Sequence, residues 1–405
     1  MARGGGAADG TGGAARTAGL LGAAIGVLAA GAAAGVAVER MTVGRGIRRK
    51  ARLALDAAGP YGTLRGEPGT TRAEDGTELY YEVEEAAAPA GNGAAPLTVV
   101  FSHGYCLNQD SWHFQRLALR GLVRAVYWDQ RSHGRSGRGA AQRAGEAATI
   151  DQLGRDLKAV IDAAAPHGPL VLAGHSMGGM TVMALAEQFP ELIAERVAGV
   201  FFAGTSAGKL AAVTLGLPAA GAKAFRVLAP GVLRALGSQA ALVERGRRAT
   251  ADLFAGIVKR YSFASEVDPG VARLAERMIE STPIDVVAEF YPAFTEHEKI
   301  EALVVLDGLP ALVVAGDKDL LTPLEHSEAI VEKLPGARLV VVPEAGHLAL
   351  LEYPELVNAE LAALLVEAAG TVGAPLPEAV RELARHDGTG GTDDDPAADA
   401  PAEGR

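Results

Sequence analysis

The chain contains a single cysteine, Cys106, and this excludes an intramolecular disulfide. It also lacks an excess of basic residues, because 38 lysines and arginines stand against 49 aspartates and glutamates and the net charge is -11. Such a balance argues against a nucleic-acid-binding protein. No internal repeat is found. What is present is a sequence of 405 residues, 49% of them hydrophobic, which is long enough for one large domain with extensions at its ends.

The two ends of the chain differ in composition from its middle. Residues 1–16 are rich in glycine and alanine and are predicted to be disordered. Residues 17–38 carry no charge, and residues 39–60 form a basic linker after them. Residues 371–405 are rich in aspartate, glycine, alanine and proline. We interpret this last segment as an acidic disordered tail.

The uncharged segment 17–38 has the length of a transmembrane helix. Its glycine pairs Gly22/Gly26 and Gly31/Gly35 have a spacing that suits helix association within a membrane. The segment therefore predicts a single-pass membrane protein, and the positive charge after it would keep the following domain cytoplasmic. The alternative is an alanine-rich leader on a soluble cytoplasmic protein. A cleaved signal peptide fits less well, because the cleavage site is unclear.

Between these ends, short apolar runs alternate with segments of helical periodicity. Six buried strands are predicted, at residues 97–102, 125–128, 170–173, 197–203, 311–315 and 339–342. A hairpin turn is predicted at Asp75-Gly76, and helices are predicted over residues 150–165 and 351–368. Strands that alternate with helices indicate a mainly parallel sheet with helices on both faces.

One segment interrupts the alternation. Residues 209–301 contain no clear strand and many apolar helix formers, and they lie between two predicted strands. They are predicted to form a helical cap that divides the core into residues 61–208 and 302–370. A helical packing module with no role at the site is the alternative. Aromatic residues such as Phe290 and Phe294 could line an acyl pocket, but most of them are expected to form the cap's own core.

The sequence Gly-His-Ser-Met-Gly-Gly at residues 174–179 lies between an apolar run and a helical segment. A serine on such a strand-to-helix turn is a nucleophile elbow. The turn holds Ser176 at an unfavourable backbone angle, and Gly174 and Gly178 leave the space that it needs. The serine hydroxyl would then be exposed at a helix N-terminus, where the amide of Met177 can donate to a developing oxyanion.

A serine hydroxyl needs a positioned base, and that base needs a buried acid. His347 follows a predicted strand in the sequence Pro-Glu-Ala-Gly-His, and Asp319 lies just past the end of another strand. Ser176, Asp319 and His347 therefore occur in the chain order expected for a catalytic triad on such a sheet. Asp317 is the alternative acid. Asp319 is favoured because it lies further past the strand end, and Asp317 is expected to be a turn or capping residue.

The loop after the first predicted strand should supply a second oxyanion donor. Gly104 would let the backbone turn inward there, and the amide of Tyr105 is the predicted donor. His103 is expected to be structural and to bond within the loop. His175 is assigned to packing, since its position beside the nucleophile should point it away from the site. The polar segment 129–136 is interpreted as a structural turn near the site.

These motifs together resemble the α/β-hydrolase superfamily, and the resemblance covers roughly residues 70–370. The residues that carry it are His103-Gly104, Asp129 to Ser136, Gly174 to Gly179, Gly316 to Asp319 and Gly346-His347. The similarity is to the branch of small esterases, lipases, cofactor-free haloperoxidases and proline iminopeptidases. It implies an α/β-hydrolase fold with a mostly parallel eight-stranded sheet, helices on both faces, a helical cap after the sixth strand, and no cofactor or metal. Members with an aspartate nucleophile are disfavoured, because Ser176 occupies the elbow.

The predicted function is a serine hydrolase that cleaves carboxylic esters of lipid-like or small acyl groups through an acyl-enzyme intermediate. Ester hydrolysis is favoured over aminopeptidase activity, because the cap is apolar and no carboxylate cluster for a substrate amine is present. An acyltransferase or a perhydrolase would use the same triad. A non-catalytic, membrane-tethered binding module on the same scaffold is the alternative of another class. The expected partners are a small-molecule acyl substrate and a membrane, with no nucleic acid.

Overall fold

The structure is a computed structural model that describes residues 54–56, 61–87, 95–237 and 251–385. Its strands are β1 (Glu67–Arg72), β2 (Glu78–Glu84), β3 (Thr98–Ser102), β4 (Arg124–Trp128), β5 (Leu170–His175), β6 (Val197–Ala203), β7 (Ala311–Gly316) and β8 (Arg338–Val342). They form one eight-stranded sheet in the order β1-β2-β4-β3-β5-β6-β7-β8. This confirms the expected sheet, and each of the six strands predicted from apolar runs is present within one or two residues of its predicted ends.

The sheet is antiparallel at one edge and parallel elsewhere. β2 pairs antiparallel with β1 and β4, and all the remaining pairs are parallel. The turn between β1 and β2 confirms the predicted hairpin, because Gly76 has φ +80° and its amide donates to the Ala73 carbonyl at 2.9 Å. Since the carboxyl ends of parallel strands share one edge of a sheet, the loops after β3, β5, β6, β7 and β8 come together there.

Helices connect the strands. Those in the described residues are α1 (His113–Leu119), α2 (Ala140–Arg143), α3 (Ile150–Ala164), α4 (Met177–Gln188), α5 (Pro190–Arg196), α6 (Ala219–Gly237), α7 (Ala251–Ser262), α8 (Pro269–Ser281), α9 (Ile284–Glu296), α10 (Leu324–Lys333), α11 (Ala349–Glu352), α12 (Pro354–Val372) and α13 (Glu378–Arg385). α3 and the pair α11–α12 occupy the two segments whose periodicity predicts helices. α3 begins where the hydroxyl of Thr149 caps it, accepting from the Gln152 amide at 3.1 Å.

The two faces of the sheet are buried in two separate hydrophobic clusters. Along β3, Val99 and Phe101 belong to the cluster that includes Leu361 of α12, whereas Val100 belongs to the cluster that includes Leu157 of α3. Alternate side chains of a strand point to opposite faces, so this division places helices on both sides of the sheet. The buried parallel strands are apolar throughout for the same reason.

The expected helical cap is made by α6, α7, α8 and α9, which lie between β6 and β7. The cap contacts the core at the carboxyl edge of the sheet. In one such contact, the Ala148 amide donates to the Glu289 carbonyl at 3.2 Å. In another, the Leu348 amide donates to the Ser262 carbonyl at 2.9 Å. The first contact joins α9 to the segment before α3, and the second joins α7 to the loop after β8.

The disordered tail predicted for residues 371–405 is wrong in its first part. α12 continues to Val372, and α13 follows it with Val380 fully buried in the same cluster as α12. Leu383 and Ala384 also pack against that cluster. The polar composition of the segment concealed these three apolar residues, which share one face of the helix at helical spacing. Residues 386–405 lie outside the described part of the chain.

The predicted membrane helix at residues 17–38 and the leader 1–16 also lie outside the described residues, so membrane attachment stays a prediction. Within the described ranges, no helix combines the length and the apolar character that crossing a bilayer requires. The basic linker is described only at residues 54–56. There, Asp56 forms ion pairs with Arg273 at 2.9 Å and with Arg277 at 3.2 Å, both on α8 of the cap.

The burial of α13 predicts that this helix contributes to stability. Val380→Ala removes two methyl groups from a fully buried site and should lower the free energy of unfolding by about 1–3 kcal/mol in urea titrations. The control Glu382→Ala changes an exposed side chain of the same helix and should stay within about 0.5 kcal/mol of the parent. Equal stability of the two variants would show that α13 does not belong to the core.

Candidate active site

Ser176 lies between the end of β5 and the start of α4 in a strained backbone conformation. Its φ is 52° and its ψ is -118°. Non-glycine residues reach such angles only where the surrounding structure enforces them. The Ser176 amide donates to the Ala203 carbonyl at 2.9 Å, and its carbonyl accepts from the Thr205 hydroxyl at 2.6 Å. Strand β6 and the loop after it therefore hold both sides of the turn.

Glycines around the turn leave the space that the elbow needs. A Cβ at Gly174 would lie 2.5 Å from the Gly179 amide nitrogen, and a Cβ at Gly178 would collide with the carbonyl oxygen of Ser102. Gly104 approaches from the neighbouring loop, where a Cβ would lie 3.2 Å from the Ser176 Cβ. The first two glycines occupy the crowded positions expected from the motif, and the third brings the loop after β3 next to the serine.

The loops after β7 and β8 bring an acid and a histidine to Ser176. Nε2 of His347 lies 2.9 Å from the Ser176 Oγ, and Nδ1 of His347 lies 2.8 Å from Oδ2 of Asp319. The other carboxylate oxygen of Asp319 accepts from the amides of Leu321 at 2.8 Å and Thr322 at 3.0 Å. The three side chains therefore form one continuous hydrogen-bonded chain, at the separations that proton transfer requires.

Asp319, and not Asp317, is the carboxylate that the structure brings to His347. Burial raises the pKa of Asp319, but the electrostatic interaction with His347 and the hydrogen bonds from His347 and Thr322 outweigh it, so the pKa lies below its usual value. Asp319 is thus ionised at neutral pH. Asp317 is half-buried, and its carboxylate pairs with Lys318 at 3.1 Å.

Thr322 is a supporting residue that the sequence reasoning missed. Its hydroxyl donates to Oδ2 of Asp319 at 2.7 Å and lies 3.3 Å from Nδ1 of His347. The turn in which Asp319 accepts from amides two and three residues later is an Asx-type turn. An aspartate followed three residues later by threonine is the sequence signal that could have indicated it.

The amide of Tyr105 follows Gly104 in the loop after β3, and the amide of Met177 is the first of α4, directly after Ser176. Among the described residues, neither amide is paired with a protein acceptor. The Tyr105 side chain also contacts the cap, which the sequence did not indicate. Its hydroxyl donates to the Val287 carbonyl of α9 at 2.6 Å, and its ring centroid lies 4.9 Å from that of Phe294. The cap and the loop after β3 are therefore directly joined.

His103 lies inside the loop after β3 and is fully buried. Its Nε2 accepts from the Gln130 amide at 2.9 Å, and its Nδ1 lies 2.7 Å from the Gly104 carbonyl oxygen. Burial lowers the pKa of His103 well below its usual value, so the ring is neutral and Nδ1 donates. The Gln130 side chain in turn accepts from the Thr181 hydroxyl at 2.7 Å. These bonds fix the loop to α4.

The segment 129–136 contacts the rest of the core through buried polar groups. Arg131 forms a bidentate ion pair with Asp156, at 2.5 and 2.6 Å. Asp129 accepts from the amides of Gln109 at 2.8 Å and Arg135 at 2.9 Å, while burial raises the pKa of Asp129 to about 6. These partners are all structural, and the segment is the turn that its sequence suggested.

His175 does not point away from the site, and that expectation is wrong. Its ring centroid lies 4.9 Å from that of His347, and its Nε2 lies 3.0 Å from the His347 carbonyl oxygen. The loop after β8 folds over the end of β5 and brings His347 to this ring. His175 is fully buried there, as its assignment to packing expected. The sequence contains no signal for that loop position.

Among residues 54–56, 61–87, 95–237 and 251–385, no three His, Cys, Asp or Glu side chains are arranged to hold a metal ion.

The sheet order and the connecting helices define an α/β protein with a strained strand-to-helix turn after β5. The family model for the alpha/beta hydrolase fold matches residues 98–354, which is more than half of the chain. The chain therefore belongs to the alpha/beta hydrolase fold family, and this confirms the resemblance found in its motifs.

Proteins with known names and structures are similar to this chain over most of its length. The dihydrolipoyllysine-residue acetyltransferase component of the acetoin cleaving system of Pseudomonas putida is 28% identical over 303 residues, which are 74% of this chain and 70% of that protein. A thermophilic esterase from Thermogutta terrifontis has a TM-score of 0.57 at 24% identity, over 75% of this chain and 99% of that one. The enol-lactonase from Burkholderia xenovorans has a TM-score of 0.56 at 23% identity, over 74% of this chain and 100% of that one. The two solved structures share the fold.

The crowding at the elbow predicts an unequal response of two glycines to the same substitution. Gly178→Ala places a methyl group against the Ser102 carbonyl and should lower the free energy of unfolding by at least about 2 kcal/mol. Gly370→Ala in α12 meets no atom within 4 Å and should raise it by about 0.5–1 kcal/mol. Urea titration of both variants checks this, and a Gly178→Ala protein as stable as its parent would contradict the elbow geometry.

Proposed function

We propose that this protein is a serine hydrolase that cleaves carboxylic esters of small or lipid-like acyl groups through an acyl-enzyme intermediate. Ser176 is the nucleophile, His347 the general base and Asp319 the acid that orients it. The observation that carries the proposal is the hydrogen-bonded chain from the Ser176 hydroxyl through both ring nitrogens of His347 to Asp319, at 2.9 and 2.8 Å. A strained turn presents that hydroxyl at the start of a helix.

In the first step, Nε2 of His347 takes the hydroxyl proton while Oγ of Ser176 forms a bond to the substrate carbonyl carbon. The carbonyl π electrons move to its oxygen, and the amides of Tyr105 and Met177 donate to the resulting oxyanion. Asp319 is ionised and keeps the Nδ1 proton of the ring in place, which stabilises the imidazolium. Because both donors are backbone amides, no side chain has to move for them to donate to the oxyanion.

In the second step, the oxyanion collapses and the bond to the leaving alkoxide breaks. Nε2–H of His347 gives its proton to that alkoxide, which departs as an alcohol. A water molecule then attacks the acyl-Ser176 ester, and His347 takes a proton from that water as it attacks. Collapse of the second tetrahedral species releases the carboxylic acid and returns the proton to Oγ.

The surroundings of the elbow favour an uncharged acyl substrate. A cluster of apolar side chains joins Met177 to cap helix α9, and Tyr105, Leu210 and Phe294 lie half-buried at its edge. The buried carboxylate of this region, Glu289, is already paired with Arg138 at 2.7 Å. A substrate ammonium would find no unpaired carboxylate in these contacts, which favours esters over aminopeptidase substrates. The names of the similar esterase and enol-lactonase agree with this choice.

The proposal predicts that the two neighbouring aspartates differ in effect. Asp319→Asn should lower kcat on p-nitrophenyl acetate or butyrate by about three to four orders of magnitude, as Ser176→Ala should, because each removes one member of the triad. Asp317→Asn should remain within about threefold of the parent. Circular dichroism verifies that each variant is folded. Full activity of Ser176→Ala, or equal losses in the two aspartate variants, would overturn the assignment.

Acyl transfer to an acceptor other than water is the second candidate, and the similarity to the acetyltransferase component from Pseudomonas putida favours it. The acyl-enzyme would be the same, and only the group that attacks it would differ. Product analysis with an alcohol or thiol present distinguishes the two activities. A hydrolase releases mainly the free acid at millimolar acceptor, whereas a transferase releases mainly the acylated acceptor.

A further inference from the structure

The loop Pro343–Leu348 carries His347 between β8 and α11. Three consecutive residues of this loop are held by groups that lie outside it: the Gly346 amide by a Glu352 carboxylate oxygen at 2.7 Å, the His347 carbonyl by Nε2 of His175 at 3.0 Å, and the Leu348 amide by the Ser262 carbonyl at 2.9 Å. Of these three bonds, the one from His175 is the one that acts on the backbone of His347 itself. The other two hold the residues before and after it.

The hydrogen position in that bond follows from its partner. A carbonyl oxygen can only accept, so Nε2 of His175 must carry the hydrogen. Burial lowers the pKa of His175 to about 3, and its ring is therefore neutral at working pH with an unprotonated Nδ1. Nδ1 is buried, has no hydrogen-bond partner among the described residues, and faces Gly104. The ring is thus held in one tautomer by a single hydrogen bond.

We propose that His175 is a positioning residue for the acyl-enzyme chemistry: its Nε2–H holds the His347 carbonyl and so fixes the imidazole of His347 between Ser176 and Asp319. The inference rests on the function proposed above and adds a residue to it. His175 touches no reacting atom. It acts through the backbone of the base.

The position of His175 in the chain explains why this bond matters. His175 is the last residue of β5 and is joined by a peptide bond to Ser176, so the hydrogen-bond donor and the nucleophile move together. Tying the His347 backbone to that strand end keeps the base at a constant distance from the nucleophile. Misplacement of a catalytic group by about 1 Å can lower a rate about a hundredfold.

A second histidine provides a matched control. His297 is also buried, its Nε2 also donates to a backbone carbonyl, that of Ser206 at 2.8 Å, and its Nδ1 is also without a partner in the described part of the chain. It does not contact His347. Replacing either histidine by phenylalanine removes the same kind of bond from the same kind of site, so a general loosening of the fold should affect both variants alike.

The test compares His175→Phe, His175→Gln and His297→Phe in kinetics on p-nitrophenyl butyrate. We expect kcat to fall about tenfold to a hundredfold in His175→Phe with KM within about threefold, since the apolar cluster that joins Met177 to α9 is unchanged. In His175→Gln the amide nitrogen reaches the same carbonyl, and kcat should stay within about fivefold. His297→Phe should behave like the parent. Rates are normalised to the folded fraction, and if His175→Phe does not fold, His175→Asn, whose shorter donor misses the carbonyl, replaces it.

A spectroscopic measurement separates this inference from the proposed function. The Nδ1 proton of His347, held against Asp319, should give a low-field proton resonance, assigned by its loss in His347→Ala. It should broaden or disappear in His175→Phe and persist in His175→Gln and His297→Phe. An unchanged resonance together with unchanged kcat in His175→Phe, or equal losses in the two phenylalanine variants, would overturn the inference. Absent ester hydrolysis in the parent would instead reject the proposed function, while the resonance still decides the role of His175.

Discussion

The strained turn at Ser176 is the constraint on which the other features of the site depend. A backbone at φ 52° and ψ -118° persists only because β6, the Thr205 hydroxyl and the closely packed glycines fix it from every side. The requirement for small residues at Gly174 and Gly178 follows from that packing. So does the position of α4, which begins at the residue after Ser176. Ser176 is therefore held by close packing between β5, β6 and α4.

Neutral histidines hold the loops around this turn. His103 joins its own loop to Gln130, and His175 joins the end of β5 to the loop that carries His347. Burial lowers the pKa of both rings, so each can donate one hydrogen bond without placing a charge in the core. Ionic groups take the same structural role further from the serine, as Arg131 does with Asp156. His103 and His175 thus fix the loops near Ser176 at little electrostatic cost.

The sequence predicted what depends on local pattern. Apolar runs indicated the parallel strands, and the chain order Ser176, Asp319, His347 indicated residues that the fold does bring together. Contacts that depend on how distant segments meet were missed, such as His175 against the His347 loop and the Tyr105 hydroxyl against α9. Helix α13 was missed for a different reason, because its polar composition hid an apolar face centred on Val380. A sequence pattern indicates which residues one helix or strand buries. The missed contacts depend instead on how two segments that are distant in the chain meet.

The central claim is that Ser176 carries the acyl group during turnover, and mass spectrometry of a trapped intermediate tests it most directly. Protein mixed with excess p-nitrophenyl butyrate is quenched in acid within the first turnovers and digested, and the peptides are analysed. We expect the peptide containing Ser176 to gain the mass of one butyryl group on that serine, and we expect no such adduct in Ser176→Ala. Turnover of the ester by the parent protein without an adduct on Ser176 would contradict the assignment of Ser176 as the nucleophile. An adduct on another residue that persists in Ser176→Ala would contradict it as well.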